Sequence, residues 1–460
     1  MDRRAIIALL GVFGGWAPQA PSADWPGYLG EDGRARWDAP NVDLDLNDGN
    51  PALRWSAPLG GGYSGPSVVG GRVYVMDRIE EAWEPAAVEP GTNLNFVRAV
   101  IPGVERVLCL DGDSGERIWR KEYPVTYSSA YPYAIGPRTT PLVHEGTVYT
   151  LGAEGDLRAW NAETGDPLWG RQLIEEYGFE TPEWGIAAHP IIDGERLIAI
   201  VGGEGSAVVA FDRTSGEEVW RALTASKPGY SMPRIAAFGG LRQVLIWTGD
   251  GLSGLAPDTG EVYWSVPFEP AYGMAIATPQ VVGSQVFLMG FNAKSGLIEV
   301  AADGRAARLV WGPSPRLGVA GVFNTPLVRE GHIYSGGRRG QFRCVRWEDG
   351  ALVWEDPAPL LNLEGKGRGA WQSAFTVEHP ESGSTIVFND HGEMIVTRLS
   401  TGGYEEASRV PLIAPTHRVS GRMLVWSHPA LSGRRVYLRN DEEIRCWELG
   451  LRGGEDVERN

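Results

Sequence analysis

The stretch TPLVHEGTVYTLGAEGDLRAWNAETGDPLW, residues 140–169, decides the fold. It reads as three short strands and the start of a fourth, with glycine-containing turns at 144–146, 152–155 and 163–165. Alternation of apolar and polar side chains, interrupted by a turn every eight to twelve residues or so, is typical of antiparallel sheet. Four such strands with a tryptophan at a fixed place in the last one predict one blade of a β-propeller.

Similar units fill most of the chain after residue 53. Their last turns carry glycines at positions 115, 165, 216, 260, 304, 350 and 402, so successive units are 44 to 52 residues apart. An eighth unit, 428–449, has room for three strands only, whereas 53–58 reads as a fourth strand with none before it. A propeller closes by pairing one chain end into the blade made by the other, which removes free sheet edges. The sequence therefore predicts an all-β, eight-bladed β-propeller of four-stranded antiparallel blades, closed by the N-terminal strand in the last blade.

A tryptophan follows the turn glycine in six of these units. The seventh unit, 371–413, keeps Thr401-Gly402 but has no such tryptophan. Threonine or serine before glycine completes a tight turn, and a flat indole then packs between neighbouring sheets with its N–H free to meet a carbonyl. We therefore expect a structural docking role for Trp119, Trp169, Trp220, Trp264, Trp311 and Trp354.

The segments outside the blades are interpreted from their composition. Arg3 and Arg4 precede an apolar run in the pattern of a secretory signal, which predicts a cleaved signal peptide over 1–23 and a secreted or periplasmic protein. The run is too short to span a bilayer well, so no transmembrane segment is expected in the mature chain. We expect irregular structure over 24–52, the propeller over 53–450 and a polar tail over 451–460. Between the second and third strands of blade one, an insertion is expected over 78–105.

Charge and cysteine content exclude some functions. The net charge of −16 would repel a phosphate backbone, so nucleic acid is not expected as a partner. The three cysteines, Cys109, Cys344 and Cys446, are odd in number and widely spaced. Each falls in a predicted third strand, which favours buried free thiols over disulfides. A monomer is expected.

The ends of the units resemble a known repeat. The tails SGERIW, TGDPLW, SGEEVW, TGEVYW and DGALVW are similar to the tryptophan-docking motif of the pyrroloquinoline-quinone (PQQ) repeat family. The stretch DWPGYLGEDG, which begins at Asp24, resembles the opening of secreted PQQ-like propeller proteins. The resemblance covers nearly the whole chain from Trp25 to Leu449. Its relatives include BamB-like assembly propellers of the outer membrane and quinoprotein alcohol dehydrogenases.

The resemblance alone does not imply enzymatic activity. Quinoprotein dehydrogenases hold PQQ under a disulfide of adjacent cysteines, with a calcium ion bound by Glu and Asn and a catalytic Asp. This sequence has no adjacent cysteine pair and no Cys-x-x-Cys-His haem site. The Asp43-x-Asp45-x-Asn47 spacing is that of a calcium loop, but Gly49 is one place late and Arg54 replaces the closing glutamate. We therefore expect no catalytic residues, no metal site and neither PQQ nor calcium as a cofactor.

The connections that lead into the blades carry the candidate binding residues. Seven innermost strands are predicted to start after a proline: Pro66, Pro141, Pro190, Pro233, Pro279, Pro326 and Pro429. An aromatic residue comes shortly before every innermost strand: Tyr63, Tyr133, Trp184, Tyr230, Tyr272, Phe323, Trp371 and Trp426. Further candidates in the same connections are Arg138, Arg234, Arg368, Arg418, His189 and His428. If the units superpose, these side chains form a ring around the channel mouth.

Aromatic residues together with arginines are common anchors of binding surfaces, although they also pack loops against each other. The sequence favours a non-catalytic secreted binding scaffold that recognises a protein, peptide or small ligand on the channel-mouth face. One alternative is a PQQ-dependent quinoprotein-type dehydrogenase. The other is a BamB-like outer-membrane protein assembly factor.

Overall fold

The structure, a computed structural model, describes residues 24–47, 49–84, 88–89, 91–313, 318–337, 339–362, 372–419 and 422–453. Across these ranges it is an eight-bladed propeller in which each blade is a four-stranded antiparallel sheet. The predicted fold class is therefore confirmed. The predicted signal peptide, 1–23, and most of the predicted polar tail lie outside the described residues. No helix of the described part is long and apolar enough to cross a bilayer.

The first four blades follow one another in chain order after strand β1 (Ala52–Pro58). Blade one contains β2 (Ser67–Val69), β3 (Arg72–Glu80), β4 (Ile101–Asp111) and β5 (Arg117–Tyr127). Blade two contains β6 (Leu142–His144), β7 (Thr147–Leu151), β8 (Asp156–Asn161) and β9 (Pro167–Gln172), followed by the short helix α1 (Leu173–Tyr177). Blade three contains β10 (Ile191–Asp193), β11 (Arg196–Ile200), β12 (Val208–Asp212) and β13 (Glu218–Ala222). Blade four contains β14 (Arg234–Phe238), β15 (Leu241–Trp247), β16 (Gly251–Leu255) and β17 (Val262–Pro267).

The last four blades complete the ring. Blade five contains β18 (Gln280–Val282), β19 (Gln285–Met289), β20 (Ser295–Val300) and β21 (Ala307–Trp311). Blade six contains β22 (Leu327–Arg329), β23 (His332–Gly336), β24 (Phe342–Arg346) and β25 (Leu352–Asp356). Blade seven contains β26 (Ala374–His379), β27 (Ser384–Asn389), β28 (Glu393–Ser400) and β29 (Gly403–Pro411). A two-stranded hairpin that the sequence did not predict, β30 (His417–Val419) and β31 (Arg422–Leu424), precedes blade eight, which contains β32 (Ala430–Ser432), β33 (Arg435–Arg439) and β34 (Glu443–Glu448).

Strand β1 closes the propeller. It pairs antiparallel with β34, with Ala57 opposite Ile444 and Pro58 opposite Glu443, so that it is the outermost strand of blade eight. The seven prolines predicted to start innermost strands each stand directly before the first residue of β2, β6, β10, β14, β18, β22 or β32. Proline fixes the backbone angle at the point where the chain turns toward the channel. The residues that precede these prolines are therefore held at one end of the channel.

The docking tryptophans of seven blades join each of these blades to the next one. Trp119 Nε1–H donates to the carbonyl of Ala162 in blade two at 3.1 Å. Its indole also lies over Gly165, where a Cβ atom would come within 2.7 Å of the ring. Trp55, Trp169 and Trp220 repeat both contacts with the turns of the blades that follow them. At these four turns a side chain on the glycine would exclude the indole of the preceding blade.

Trp264 docks differently from the others. Its Nε1–H donates to Gln243 Oε1 of its own blade at 2.8 Å, and Gln243 Nε2 donates to the carbonyl of Gly304 in blade five at 2.6 Å. The link to the next blade is therefore relayed by a glutamine. A Cβ atom on Gly304 would meet the carbonyl of Phe238 and the side chain of Gln243 and not an indole ring, in contrast to Gly165.

The cysteines also belong to the docking arrangement. Cys109, Cys344 and Cys446 pair across the sheet with Trp119, Trp354 and Trp55, and each pairing lies beside a β-bulge. In blades two, three and four the same place is taken by an alanine or glycine, as with Ala159 opposite Trp169, whereas in blade five it is taken by Leu297. A small residue leaves space for the indole, and the bulge turns the tryptophan toward the neighbouring blade. All three thiols are free and buried, as predicted.

The blade-one insertion is shorter than the sequence suggested. Arg78 pairs with Glu105 inside the β3–β4 ladder, so the insertion proper covers about twenty residues between Glu80 and Ile101. Arg78 is buried and donates to the carbonyls of Ala134, Ile101 and Pro102. The paired strands are therefore a long hairpin that carries the insertion away from the blade.

The segment before β1 crosses one end of the channel. Trp25 forms a bridge with Val68 of blade one, and Arg36 forms one with Glu378 of blade seven. Farther along, Asp43 N–H donates to the carbonyl of Gly450, and the side chain of Asn50 donates to the carbonyls of Asp43 and Asp45. This acidic loop is therefore a hydrogen-bonded turn fastened to the C-terminal part of blade eight.

Candidate ligand-binding site

A cavity of about 210 Å³ opens at the channel mouth, where the connections into the innermost strands come together. Ten of the residues proposed from the sequence line it: Tyr63, Tyr133, Arg138, Trp184, His189, Tyr230, Tyr272, Phe323, Trp426 and His428. They come from seven of the eight connections between blades. The connection into blade seven lies largely outside the described residues.

Among the described candidates, Arg234 does not line the cavity. Arg234 is the first residue of β14, and its Nη1 donates to the carbonyl of Gly33 at 2.7 Å. It therefore fastens the N-terminal segment to the channel wall. Arg368 and Trp371 lie outside the described residues, and for Arg418 only the backbone in β30 is described.

The inner end of the cavity is formed by Tyr28, His189 and His428. The Tyr28 ring stacks on His189, with ring centroids 3.9 Å apart and an interplanar angle of 10°, and meets His428 edge-on at 4.3 Å. The Tyr28 hydroxyl reaches the Phe323 carbonyl at 3.4 Å. Because Tyr28 comes from the N-terminal segment, that segment supplies the floor of the cavity.

The outer end is a series of aromatic rings. Phe96 lies 5.8 Å from Trp184 and 5.7 Å from Tyr272, and Trp184 lies 6.0 Å from Tyr230, all between ring centroids. Tyr272 is 55% exposed and Phe96 40% exposed. Tyr272 also has a φ of 61°, a left-handed conformation that non-glycine residues rarely adopt and that is often found at binding sites.

A second aromatic group forms the opposite wall. Trp426 lies 4.2 Å from Phe323, 6.1 Å from Tyr63 and 6.4 Å from Tyr133, the last in a stacked arrangement. The Tyr63 hydroxyl is hydrogen-bonded to His417 Nε2 at 2.9 Å. These contacts hold the rings in place, so the wall is formed before any ligand arrives.

Arg138 adds a positive charge to this wall. It is 8% exposed, and its guanidinium lies 5.2 Å from the centre of the Tyr63 ring. It donates from Nη1 to the carbonyl of Gly136 at 3.1 Å and from Nη2 to the carbonyl of Tyr133 at 2.6 Å. Backbone carbonyls of its own connection therefore fix its position.

The insertion of blade one contributes residues that sequence reasoning did not assign to the site. Asn93, Asn95 and Phe96 line the cavity from a single 3₁₀ turn at Leu94–Phe96. The Tyr133 hydroxyl donates to Asn95 Oδ1 at 2.7 Å and ties the insertion to the wall. The insertion therefore forms one side of the channel mouth.

Other lining residues were also missed: Tyr28, Ala187, Met232, Met274, Ile276, Phe291, Val322, Val419 and Arg422. A signal existed for some of them. Met232 stands directly before a strand-starting proline, as His189 and His428 do. Met274 and Ile276 continue the alternation that begins at Tyr272, which places them on the same side of an extended chain. For Tyr28 no signal was available, because its partners are far away in the chain.

Burial keeps the ring nitrogens of the site uncharged. Desolvation lowers the pKa of His189 well below its usual value of 6.5, and the nearby His428 lowers it further. Desolvation also lowers the pKa of His428 to about 3 and that of His417 to about 4. Burial raises the pKa of Tyr28 to about 12. Near neutral pH the rings of His189, His428 and Tyr28 are therefore uncharged.

The donor set of the lining does not suit metal chemistry. The described residues contain no group of three or more His, Cys, Asp or Glu side chains that could hold a metal ion. No aspartate or glutamate is among the described residues that line the cavity. The arrangement is suited to binding an apolar or aromatic group in a preformed space.

Comparison with known proteins agrees with the predicted resemblance. BamB from Yersinia pestis, an outer membrane protein assembly factor, is 22% identical over 47% of this chain, and BamB from Burkholderia pseudomallei (strain K96243) is 25% identical over 62% of it. The chain spans 56% and 66% of the length of these two curated relatives.

Solved structures show the same fold. The crystal structure of BamB from Moraxella catarrhalis matches with a TM-score of 0.50 at 16% identity, covering 75% of this chain and 88% of that one. Quinohemoprotein alcohol dehydrogenase from Comamonas testosteroni matches with a TM-score of 0.58 at 15% identity, covering 94% and 81%. The family model described as outer membrane protein assembly factor BamB matches residues 103–356, more than half of the 460-residue chain, and the chain therefore belongs to that family.

Proposed function

We propose that this chain is a non-catalytic binding propeller that holds an aromatic or apolar group of a ligand in the channel-mouth cavity. The observation that carries the proposal is the convergence of aromatic side chains from seven connections on one preformed space. Large aromatic residues supply contact area at low cost in conformational entropy and are the commonest anchors of recognition sites. The repeat supports the ring, and the connections supply the binding groups.

The family favours a second, more specific function, a part in outer membrane protein assembly. The relatives from Yersinia pestis and Burkholderia pseudomallei are outer membrane protein assembly factors. In that role the group held in the cavity belongs to a protein segment, and the chain works in the periplasm. The predicted signal peptide agrees with this location.

The quinoprotein alternative has less support. A calcium ion that assists a quinone needs oxygen ligands, usually with at least one carboxylate. Although Asn93 and Asn95 offer amide oxygens, the described lining offers no carboxylate. The residues present therefore do not fit a calcium–PQQ pair, and the similarity to quinohemoprotein alcohol dehydrogenase extends to the fold alone.

Ligand-observed NMR with indole tests the proposal. We expect indole to bind the purified protein and expect Ala187→Trp to abolish binding, because the new ring fills the space that Ala187 lines. Val282→Trp adds the same side chain at an exposed hairpin position away from the cavity and serves as the matched control. Equal indole binding by both variants would refute the proposed site. Dye reduction after addition of PQQ and calcium would instead support the dehydrogenase.

A further inference from the structure

Three buried ring nitrogens of the cavity, Trp426 Nε1, His189 Nε2 and His428 Nδ1, have no hydrogen-bond partner among the described residues. Trp426 and His189 are only 6% and 7% exposed. Buried polar groups are normally paired, because an unmet donor or acceptor keeps its full desolvation cost. The indole N–H can only donate. Trp426 therefore requires an acceptor atom that the described residues do not supply.

Arg138 also requires an acceptor, and it carries a full positive charge. Two of its five N–H groups donate to the carbonyls of Tyr133 and Gly136. No carboxylate from the described part of the chain forms an ion pair with it, although it is more than nine-tenths buried. A buried guanidinium without a counter-charge is costly, and its planar fork matches a carboxylate. An anionic ligand would supply what the protein lacks here.

The two donor groups lie on the same wall. Arg138 and Trp426 both border the Tyr63 ring, at 5.2 Å and 6.1 Å from its centre. Tyr133 links them a second time, since its ring stacks on Trp426 and its carbonyl accepts from Arg138. Across the cavity the lining consists of the rings near Trp184 and Tyr272. The donors of Arg138 and Trp426 therefore lie together on one wall, and the rings of Trp184 and Tyr272 lie apart from them.

We infer that the cavity selects an aromatic ring that bears a carboxylate, with the carboxylate at Arg138 and the Trp426 N–H and the ring among Trp184, Tyr230 and Tyr272. The volume of about 210 Å³ suits a one- or two-ring group, because an apolar cavity of roughly 150 Å³ accommodates benzene. This inference rests on the proposed function and adds the chemistry of the ligand. The same chemistry has two sources, a free aromatic acid or the C-terminal aromatic residue of a protein.

Isothermal titration calorimetry with three matched compounds tests the inference. Indole-3-acetate has the ring and the charge, indole-3-acetamide has the same shape without the charge, and indole has the ring alone. We expect the acid to bind on the order of tenfold to a hundredfold more tightly than the amide, the usual range for hydrogen bonds to a charged group. Arg138→Gln should remove this preference. Arg305→Gln, at an exposed turn of blade five, should keep it.

Trp426→Phe is a second variant that keeps the ring and removes only the N–H. We expect it to weaken binding of the acid about threefold to tenfold and to change indole affinity little. If circular dichroism shows that Arg138→Gln does not fold, Trp426→Phe alone tests the inference.

The outcomes separate this inference from the proposed function. Equal affinity for acid and amide, with indole bound, overturns the inference and leaves the proposed function in place. A preference for the acid that survives both Arg138→Gln and Trp426→Phe overturns it as well. If neither indole nor the acid binds the wild-type protein, both proposals fail.

Peptides identify the source of the ligand. A short peptide that ends in tryptophan is compared in its free-acid and amidated forms, with indole-3-acetate as competitor. Displacement by the free-acid peptide supports the inference with a protein C-terminus as the source. Binding of indole-3-acetate without binding of the peptide supports it with a free aromatic acid as the source.

Discussion

Acidification is expected to destabilise the fold through His428. Its ring is enclosed by Tyr28 and Phe375, and desolvation lowers its pKa to about 3, although Nε2 donates to the carbonyl of Phe323 at 3.1 Å. A histidine with a lowered pKa stays neutral in the folded state, while the unfolded chain takes up a proton below a pKa of about 6.5. The contribution of His428 to stability is therefore complete above that pH and is lost as the pH falls toward its folded pKa.

The size of the effect follows from the two pKa values. A pH of about 5 lies about 1.5 units below the pKa of the unfolded histidine. At about 1.36 kcal/mol per unit, protonation of the unfolded chain therefore lowers the free energy of unfolding by about 2 kcal/mol. Urea unfolding of the wild type and of His428→Gln at pH of about 7.5 and about 5 measures this quantity. We expect the wild type to lose about 2 kcal/mol more than the variant between the two conditions.

His332→Gln is the matched control, because His332 lies in a solvent-facing hairpin of blade six. It should lose as much stability on acidification as the wild type does. If His428→Gln also matches the wild type, the ring of His428 is not desolvated as the structure indicates and the reasoning is refuted.

Two further predictions concern a turn and the channel mouth. Gly165→Ala should lower the free energy of unfolding by about 1–3 kcal/mol more than Gly205→Ala. Both glycines have a φ of +72°, but only Gly165 lies against a tryptophan ring, that of Trp119. Equal losses in urea unfolding would contradict the docking contact. Tyr272→Asn should weaken indole binding severalfold and leave stability unchanged or raised by up to about 1 kcal/mol, because asparagine tolerates the left-handed conformation better; thermal unfolding and titration measure the two effects, and unchanged indole affinity would remove Tyr272 from the site.

Much of the fold could be predicted because the information is local. A turn glycine followed by a tryptophan, repeated at 44 to 52 residues, identifies the blades, and the count of strands identifies how the ring closes. The same locality identified most of the cavity. A proline that starts an innermost strand fixes the residues before it at one end of the channel, as it does for His189 and His428.

The remainder depends on contacts between distant parts of the chain. Tyr28 reaches Phe323, 295 residues away, through a segment that has no repeat and no strand pattern. The glutamine relay at Trp264 depends on the shape of the turn in another blade, and the tail TGEVYW looks like the others in sequence. The place of the insertion at the channel mouth likewise follows from the Tyr133–Asn95 contact, which no periodicity indicates.

A crystal structure of the protein grown with brominated indole-3-acetate tests the binding site most directly. The account predicts an anomalous bromine signal inside the channel-mouth cavity, with the ring near Trp184 and Tyr272 and the carboxylate within hydrogen-bond distance of Arg138. A bromine signal elsewhere on the propeller, with the cavity empty at a concentration that saturates binding in solution, would contradict it.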